Sequence, residues 1–249
     1  MEKISYFFFL ALFRLTSWLP FSWLRWMGKL IGRYLLLTNN RSHSVTRENI
    51  AACFPELTAS EQQHRVALSL QNLGMTALEM PYVWCRSPAT VLSKIESVDG
   101  VSYLEQALNE DKGVIILGPH IGNWELIGLY LGQRYPMTIM YQPPANPGLE
   151  DIIIHSRERA GAKLVPTNTS GVKAQLRALK KGELVGVLPD QVPPPESGGF
   201  APFFGVPALT PTMSYNLLNR TGAKAIFAVV KRNTQRDTFQ LVFTEAPEA

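Results

Sequence analysis

The chain has 249 residues, 46% of them hydrophobic and 18% charged, with a formal net charge of +4. This length can bury a sizeable core and favours one domain with an appendage. No Lys/Arg cluster interleaved with aromatic residues argues for nucleic acid as a partner. Two cysteines are too few for a disulfide framework, so reduced thiols and a cytoplasmic face are expected.

The first predicted element is a membrane-associated segment over residues 1–37. Residues 4–37 are rich in Phe, Leu and Trp, but Arg14, Pro20 and Arg25 interrupt them, so no run reaches the roughly 20 apolar residues of a clean span. No small-residue cleavage site follows, which argues against a removed signal peptide. The side chains suited to the membrane interface are Trp18, Trp23 and Trp26, with Arg14, Arg25, Lys29 and Arg33 to reach headgroups. The alternative is a pair of amphipathic helices packed on the following domain.

The remaining residues, 38–249, read as one domain in which helices and strands alternate. A polar link over 38–46 precedes a predicted helix over 60–84. The predicted strands are 114–117, 137–141, 184–188, 223–230 and 239–244, and the predicted helices between them are 124–135, 148–160, 171–180 and 211–220. Short apolar strands separated by such helices predict an α/β fold, with a mixed or mostly parallel sheet flanked by helices.

The segment from Gly113 to Glu125, GVIILGPHIGNWE, carries the strongest candidate chemistry, His120 followed by Glu125. In a continuous helix these two side chains would point about 140° apart. With His120 in the turn after a strand and Glu125 in the first turn of the next helix, the carboxylate can reach the imidazole. It would then fix the tautomer of a general base. The alternative is that His120 only satisfies a turn and Glu125 interacts with the helix dipole.

Asp190 and Gln191 follow another predicted strand, so they are expected at the same sheet edge as His120. They are either a simple turn or polar groups beside the His120 site. The loop over 192–199 has the composition of a flexible connector. The aromatic residues that follow are predicted either as ordinary core or as the mouth of an acyl pocket, and they are Phe200, Phe203 and Phe204.

Several common catalytic motifs are missing from the sequence. It contains no G-x-S-x-G, no H-E-x-x-H, no G-x-x-x-x-G-K-[ST] and no G-x-G-x-x-G. His120 is therefore interpreted as the base of a reaction whose nucleophile belongs to the substrate, with no cofactor and no metal. The other histidines lack an acidic partner at suggestive spacing and are expected at the surface or in packing.

Sequence blocks across most of the chain resemble, in order, the lipid A late acyltransferase family, the lauroyl and myristoyl transferases of Gram-negative envelopes. They are Asn49-Ile50, Cys53 to Glu56, Asn72, Gly74, Glu79, Gly118 to Glu125, Tyr141 to Pro143, Asn146-Pro147, Arg157, Arg159, Gly161, Leu188 to Gln191 and Pro202 to Pro207.

The resemblance implies a glycerolipid-acyltransferase-like fold with an N-terminal anchor in the inner (cytoplasmic) membrane and an active site on the cytoplasmic side. It implies transfer of a fatty acyl chain from an acyl carrier protein thioester to a hydroxyl of a lipid A precursor, with His120 as general base oriented by Glu125. The implied substrate contacts are Asn123, Arg157, Arg159, Asp190 and Gln191. The two arginines would meet phosphates or the carrier protein, or equally be solvated helix residues.

Three alternatives stay open at this point. Glycerolipid acyltransferases usually carry Asp at the position of Glu125 and an E-G-T-R-like motif, and this chain has neither. An acyltransferase for mannosylated phosphoinositides would show the same blocks. A non-catalytic membrane-associated scaffold would retain the fold with a vestigial pair. The resemblance also implies a further C-terminal segment, with a Trp-Leu-His-Arg-Arg-like sequence, that is not present before Ala249.

Overall fold

The computed structural model describes residues 2–247, with side chains from residue 6 onward. The outer limits of the two predicted segments, at residues 1 and 249, lie outside the described residues. The helices are α1 (Glu2–Ser17), α2 (Phe21–Leu37), α3 (Arg41–Cys53), α4 (Ala59–Cys85), α5 (Pro88–Leu92), α6 (Val101–Leu108), α7 (Glu125–Gly132), α8 (Pro147–Glu158), α9 (Thr169–Lys180) and α10 (Met213–Thr221). The strands are β1 (Ile95–Asp99), β2 (Val114–Leu117), β3 (Met137–Tyr141), β4 (Lys163–Pro166), β5 (Leu184–Val187), β6 (Gly198–Phe203), β7 (Val206–Pro211), β8 (Lys224–Asn233) and β9 (Thr238–Glu245).

Within the described residues, seven strands form the main sheet in the order β1-β9-β8-β2-β5-β3-β4. The five strands from β8 to β4 pair in parallel, while β9 runs antiparallel to β8 and carries β1 parallel to itself. Strands β6 and β7 form a separate antiparallel hairpin. The predicted α/β fold with a mostly parallel sheet flanked by helices is confirmed.

Two apolar cores cover the two faces of the sheet, because alternate residues of a strand point to opposite sides. In β2, Val114 and Ile116 join the core that contains residues of α2, α4 and α7. Ile115 and Leu117 join the core formed with α9 and α10. All four residues of β2 are buried, so this central strand explains why the sequence reads as a continuous apolar run there.

Helix α4 begins at a capping box, in which the Thr58 side chain accepts from the N–H of Glu61 and the Glu61 carboxylate accepts from the N–H of Thr58. Helix α3 begins at the Asn40 cap, so the predicted polar link over 38–46 is largely helical. The cause is the Asn40 side chain, which accepts from the N–H of His43 and so starts a helix inside a polar stretch.

Helix α2 packs directly on α4 rather than standing apart from the domain. Gly28 and Gly74 meet so closely that a Cβ on either would overlap backbone of the other helix. Phe21 and Leu24 belong to the core shared with the sheet. Arg25 was expected to reach headgroups, but it is buried and bonded to Glu79 at 2.8 Å. The predicted boundary at residue 37 therefore does not divide the protein into two separately packed units, because α2 shares a core with the sheet.

In the described part of the chain, every helix is by itself too short or too polar to cross a bilayer. Residues 6–17 and α2 together have the required length and composition, but they meet at an angle of 113°. Their outward faces are apolar, and the large exposed side chains there are Phe7, Phe8, Leu12, Leu15, Trp18, Trp23, Trp26, Leu30, Ile31, Tyr34 and Leu37.

Candidate active site

His120 and Asp190 meet where two neighbouring parallel strands end. Leu117 of β2 pairs with Val187 of β5, so the loops that follow leave the sheet side by side. The Nδ1 atom of His120 lies 2.7 Å from Oδ1 of Asp190, and the backbone N–H of His120 donates to Oδ2 at 2.7 Å. The expectation that His120 and Asp190 share one sheet edge is confirmed by this double contact.

The hydrogen bonds around the imidazole define its tautomer. A carboxylate accepts, so Nδ1 of His120 carries the proton and Nε2 carries the lone pair. The side-chain amide nitrogen of Gln191 lies 3.3 Å from Nε2, as expected for a weak donor to that lone pair. The ring of Trp124 packs edge-on against the imidazole, with centroids 4.7 Å apart. In this tautomer Nε2 is the nitrogen that can accept a proton.

The predicted contact between Glu125 and His120 is not the arrangement in the structure. Glu125 is buried and accepts two hydrogen bonds from Arg157, at 2.9 Å from Nε and 2.5 Å from NH2. Helix α7 begins only at Glu125, and in its first turn the carboxylate points to the guanidinium on α8. Burial alone would lower the pKa of Arg157, but the charge and hydrogen bonds of Glu125 outweigh burial and raise that pKa.

The resemblance implies that Asn123, Arg157 and Arg159 contact substrate, or that the two arginines are solvated helix residues. In the structure the side chains of all three residues bond to other groups of the protein. The guanidinium of Arg159 donates to the backbone carbonyls of Val83 and Arg86 at the end of α4, and burial lowers its pKa. Asn123 is fully buried, with its side-chain nitrogen 3.1 Å from Glu79. Of these three residues only Arg157 lines the cavity, while the side-chain nitrogens of Arg159 and Asn123 are bonded to groups of α4 and its C-terminal end.

A cavity of about 1310 Å³ opens at His120 and Gln191 and is lined mainly by apolar residues. Ile116, Gly186 and Ile139 lie side by side on β2, β5 and β3, so Gly186 leaves a gap between two isoleucines. Gly128 of α7 faces the same row, since a Cβ there would lie 2.8 Å from Ile139. Gly128 and Gly186 both line the cavity, so at this row its wall has no side chain on either residue.

The loop predicted as a flexible connector forms part of the cavity mouth, where Val192, Pro193, Pro194 and Ser197 lie. The aromatic residues after it do not belong to the core, because they lie on the separate β6–β7 hairpin and are exposed. None of Phe200, Phe203 and Phe204 lines the cavity in the described part of the chain. The ring of Phe204 contacts the ring of Phe203, with centroids 4.8 Å apart, and that of Phe54 at 5.2 Å.

Sequence reasoning missed three features of the site. Arg157 was named, but its pairing with Glu125 has no signal in the spacing of 32 residues. Glu79 is one of the residues that carry the family resemblance, but the sequence assigns it no role, and it does not single out Arg232. In the structure both residues bond to the loop that carries His120. The gap at Gly186 could have been suspected, because a glycine inside an apolar strand indicates close approach of another group.

Together, these features define an α/β protein with a histidine–carboxylate pair at one edge of its parallel sheet and an apolar cavity beside it. Among residues 2–247, no group of three or more His, Cys, Asp or Glu is placed to hold a metal ion. Residues 1–248 match the family model described as bacterial lipid A biosynthesis acyltransferase. The chain belongs to the bacterial lipid A biosynthesis acyltransferase family.

Individual relatives include two lipid A biosynthesis transferases and one acyltransferase named for another acceptor. The chain is 30% identical to the lipid A biosynthesis palmitoleoyltransferase of Escherichia coli K12, over 92% of this chain and 74% of the relative. It is 26% identical to the lipid A biosynthesis lauroyltransferase of the same organism, over 90% of this chain and 72% of the relative. A phosphatidylinositol mannoside acyltransferase of Mycobacterium tuberculosis H37Rv is 25% identical, over 71% of this chain and 57% of the relative.

Proposed function

We propose that the protein transfers a fatty acyl chain from an acyl carrier protein thioester to a hydroxyl of a lipid A precursor at the inner membrane. The observation that carries this proposal is the apolar cavity that opens at the basic nitrogen of His120. Membership of the family supports a lipid A precursor as acceptor.

His120 is the general base in this mechanism. The acceptor hydroxyl replaces the Gln191 amide at Nε2 and gives its proton to that nitrogen, while the hydroxyl oxygen bonds to the thioester carbonyl carbon. Asp190 stabilises the imidazolium through Nδ1. The tetrahedral intermediate then collapses, the carbon–sulfur bond breaks, and the thiolate takes the proton from Nε2. The products are an ester and a free thiol.

The acyl chain occupies the space between α7 and the sheet. Its carbonyl lies at His120, and its tail passes the gap at Gly186 toward Met137. Gly186 precedes Asp190 by four residues, so this path extends at most about 13 Å below the reactive edge, at about 3.3 Å per residue for an extended chain. Burial of each CH₂ contributes about 0.8 kcal/mol, which favours long-chain donors over short ones.

The Glu125–Arg157 ion pair lies in the wall of the same cavity that His120 lines. The sequence assigned Glu125 the role of orienting His120, and the geometry supports Asp190 in that role instead. In our proposal Glu125 holds the Arg157 guanidinium in place, and Arg157 favours the negative charge that develops on the thioester oxygen.

Helices α1 and α2 are proposed to lie in the membrane interface. Trp18, Trp23 and Trp26 are all more than 60% exposed, and such rings favour the headgroup region. The buried face of α2 fixes this apolar surface relative to the catalytic domain. A membrane-bound acceptor would then reach the site without leaving the bilayer surface.

The test is acyl transfer by purified protein in detergent micelles, with acyl carrier protein thioesters as donors. A tetra- or penta-acylated lipid A precursor is compared with lysophosphatidate as acceptor. We expect transfer to the lipid A precursor only, and loss of transfer in His120→Ala with donor binding nearly intact. Wild-type turnover by His120→Ala would contradict the mechanism.

A phosphatidylinositol mannoside acceptor is the second candidate, favoured by the M. tuberculosis relative, and the same assay includes it as a third acceptor. Preference for it, or for lysophosphatidate, would overturn the lipid A assignment while leaving the His120 chemistry intact. Failure to transfer to any acceptor would favour the non-catalytic scaffold.

A further inference from the structure

A buried ionic cluster lies directly behind the loop that carries His120. We call it the Glu79 cluster; its members are Glu79, Arg25, Arg232 and Asn123. Glu79 on α4 is fully buried and accepts from Arg25 of α2 at 2.8 Å and from Arg232 of β8 at 2.9 Å. A buried carboxylate needs such partners, because removal from water is costly unless charge and hydrogen bonds compensate.

Glu79 and Arg232 both bond to the loop between β2 and α7, which carries His120. The NH2 group of Arg232 donates to the backbone carbonyl of Gly122 at 3.2 Å, and the Thr76 hydroxyl lies at the same distance from that carbonyl. The side-chain amide of Asn123 donates to Glu79 at 3.1 Å. The loop between β2 and α7 is thus bonded to α4 and β8 just after His120.

The conformation of Gly122 makes this attachment specific. Its φ is +65°, and a Cβ there would lie 1.7 Å from the carbonyl oxygen of Val230 on β8. Only glycine allows such close contact between loop and strand. Since the carbonyl of Gly122 faces the cluster, the N–H of Asn123 in the same trans peptide points the opposite way, out of the cluster. The cluster therefore sets the direction of a backbone donor near His120.

We infer that Arg232 and Glu79 are positioning residues for acyl transfer, which fix the loop of His120 through Gly122 and Asn123. This inference rests on the proposed function for its effect on rate. Arg232 makes five side-chain hydrogen bonds to Asn72, Thr76 and Glu79 besides the one to Gly122. A planar guanidinium can satisfy these acceptors together, and a lysine ammonium cannot.

Arg232→Lys keeps the charge but loses the forked geometry. We expect kcat to fall about 100-fold, the size expected for a misplacement near 1 Å, with donor KM within about twofold of wild type. At nearly constant volume, Thr76→Val removes the hydroxyl that accepts from Arg232 at 2.7 Å and lies 3.2 Å from the Gly122 carbonyl, and it should lower kcat less, in the same direction. The matched control is Glu96→Gln, which loosens a bond to the neighbouring Asn233 without touching the loop.

A second measurement does not depend on turnover. Diethylpyrocarbonate modifies accessible imidazoles, and peptide mass spectrometry gives the rate at each histidine, with His43, His64 and His155 as internal references. We expect the His120 rate to change several-fold in Arg232→Lys and in Thr76→Val, while the other three rates and the Glu96→Gln variant stay as in wild type.

The two measurements separate the two proposals. An unchanged His120 modification rate in both Arg232→Lys and Thr76→Val would overturn the positioning role, whether or not the enzyme transfers acyl chains. If the wild-type protein transfers no acyl chain but the His120 modification rate still changes in the two variants, the positioning role is retained and the proposed function is refuted. Wild-type kcat in Arg232→Lys would also overturn the inference.

Discussion

His120 uses its ring and its backbone to bind the same carboxylate. Both oxygens of Asp190 are occupied, one by Nδ1 and one by the N–H of His120. This double contact fixes the loop and the ring together, so Asp190 holds the direction of Nε2 through two hydrogen bonds. Glu125 cannot orient His120 in this way, because both of its carboxylate oxygens accept hydrogen bonds from Arg157.

Asp190→Asn is expected to reduce kcat by about 10⁴, since an amide can favour the wrong imidazole tautomer while leaving the shape unchanged. Steady-state acyl transfer measures the rate, and thermal unfolding should differ little from wild type, because Asp190 is about one-third exposed. Activity within tenfold of wild type would refute its role.

Glu125→Gln is the matched comparison for Asp190→Asn. It should also lower the rate, but with a clear loss of thermal stability, because it leaves the largely buried Arg157 without its counter-charge. Breaking one partner of a buried pair costs about 3–5 kcal/mol. A variant as stable as wild type would contradict this structural role of Glu125.

At the scale of single elements, β5 shows how one residue shapes the cavity. Leu184, Val185 and Val187 are buried and apolar, and Gly186 interrupts them at the row shared with Ile116 and Ile139. A Cβ at Gly186 would lie 2.9 Å from the terminal methyl of Met137. A side chain at residue 186 would therefore compete with Met137 for space at the cavity wall, which both residues line.

Gly186→Val should shorten the preferred acyl chain. Each CH₂ displaced from the cavity costs about 0.8 kcal/mol, or about fourfold in kcat/KM, so long donors should lose most. Competition among acyl carrier protein thioesters of different length measures the preference. Val185→Ala, on the other face of the same strand, should lower stability without changing that preference. An unchanged preference in Gly186→Val would place the chain elsewhere.

The elements that sequence predicted well are those whose signal is local. Strands β2 and β3 have the predicted bounds, because their apolar runs are buried on both faces. Strand β1 was missed, since Ile95–Asp99 is half exposed at the sheet edge and mixes charged with apolar residues. The β6–β7 hairpin was missed because Pro and Gly, which usually break strands, are frequent in it.

The site was predictable only in part for the same reason. The strand-end positions of His120 and Asp190 follow from chain order, so their meeting could be expected. The partner of Glu125 could not, because α8 and the start of α7 come together only through tertiary packing. The same holds for Glu79 and Arg232, which are 153 residues apart in the chain.

At the scale of the whole molecule, α2 connects the proposed membrane face to the catalytic core. One face of α2 carries Phe21, Leu24 and Arg25 into the interior, and the other exposes Trp23 and Trp26. The sequence alone divides the chain into a membrane-associated segment over residues 1–37 and a separate domain over 38–249. The packing of α2 on α4 argues otherwise, because Arg25 completes the Glu79 cluster.

Deletion of residues 1–37 is therefore expected to prevent folding rather than to release a soluble domain. Loss of Phe21 and Leu24 costs about 2–5 kcal/mol each, and loss of a partner of buried Glu79 costs about 3–5 kcal/mol. Together these approach the 5–15 kcal/mol by which typical domains are stable. A protein that lacks residues 1–37 and still unfolds cooperatively at the wild-type temperature would show that α2 is dispensable for the core.

The double variant Trp23→Ala, Trp26→Ala should instead keep wild-type thermal stability and sediment less with washed membranes, because both rings are exposed. Membrane binding that is unaffected by the double variant would contradict the proposed membrane face.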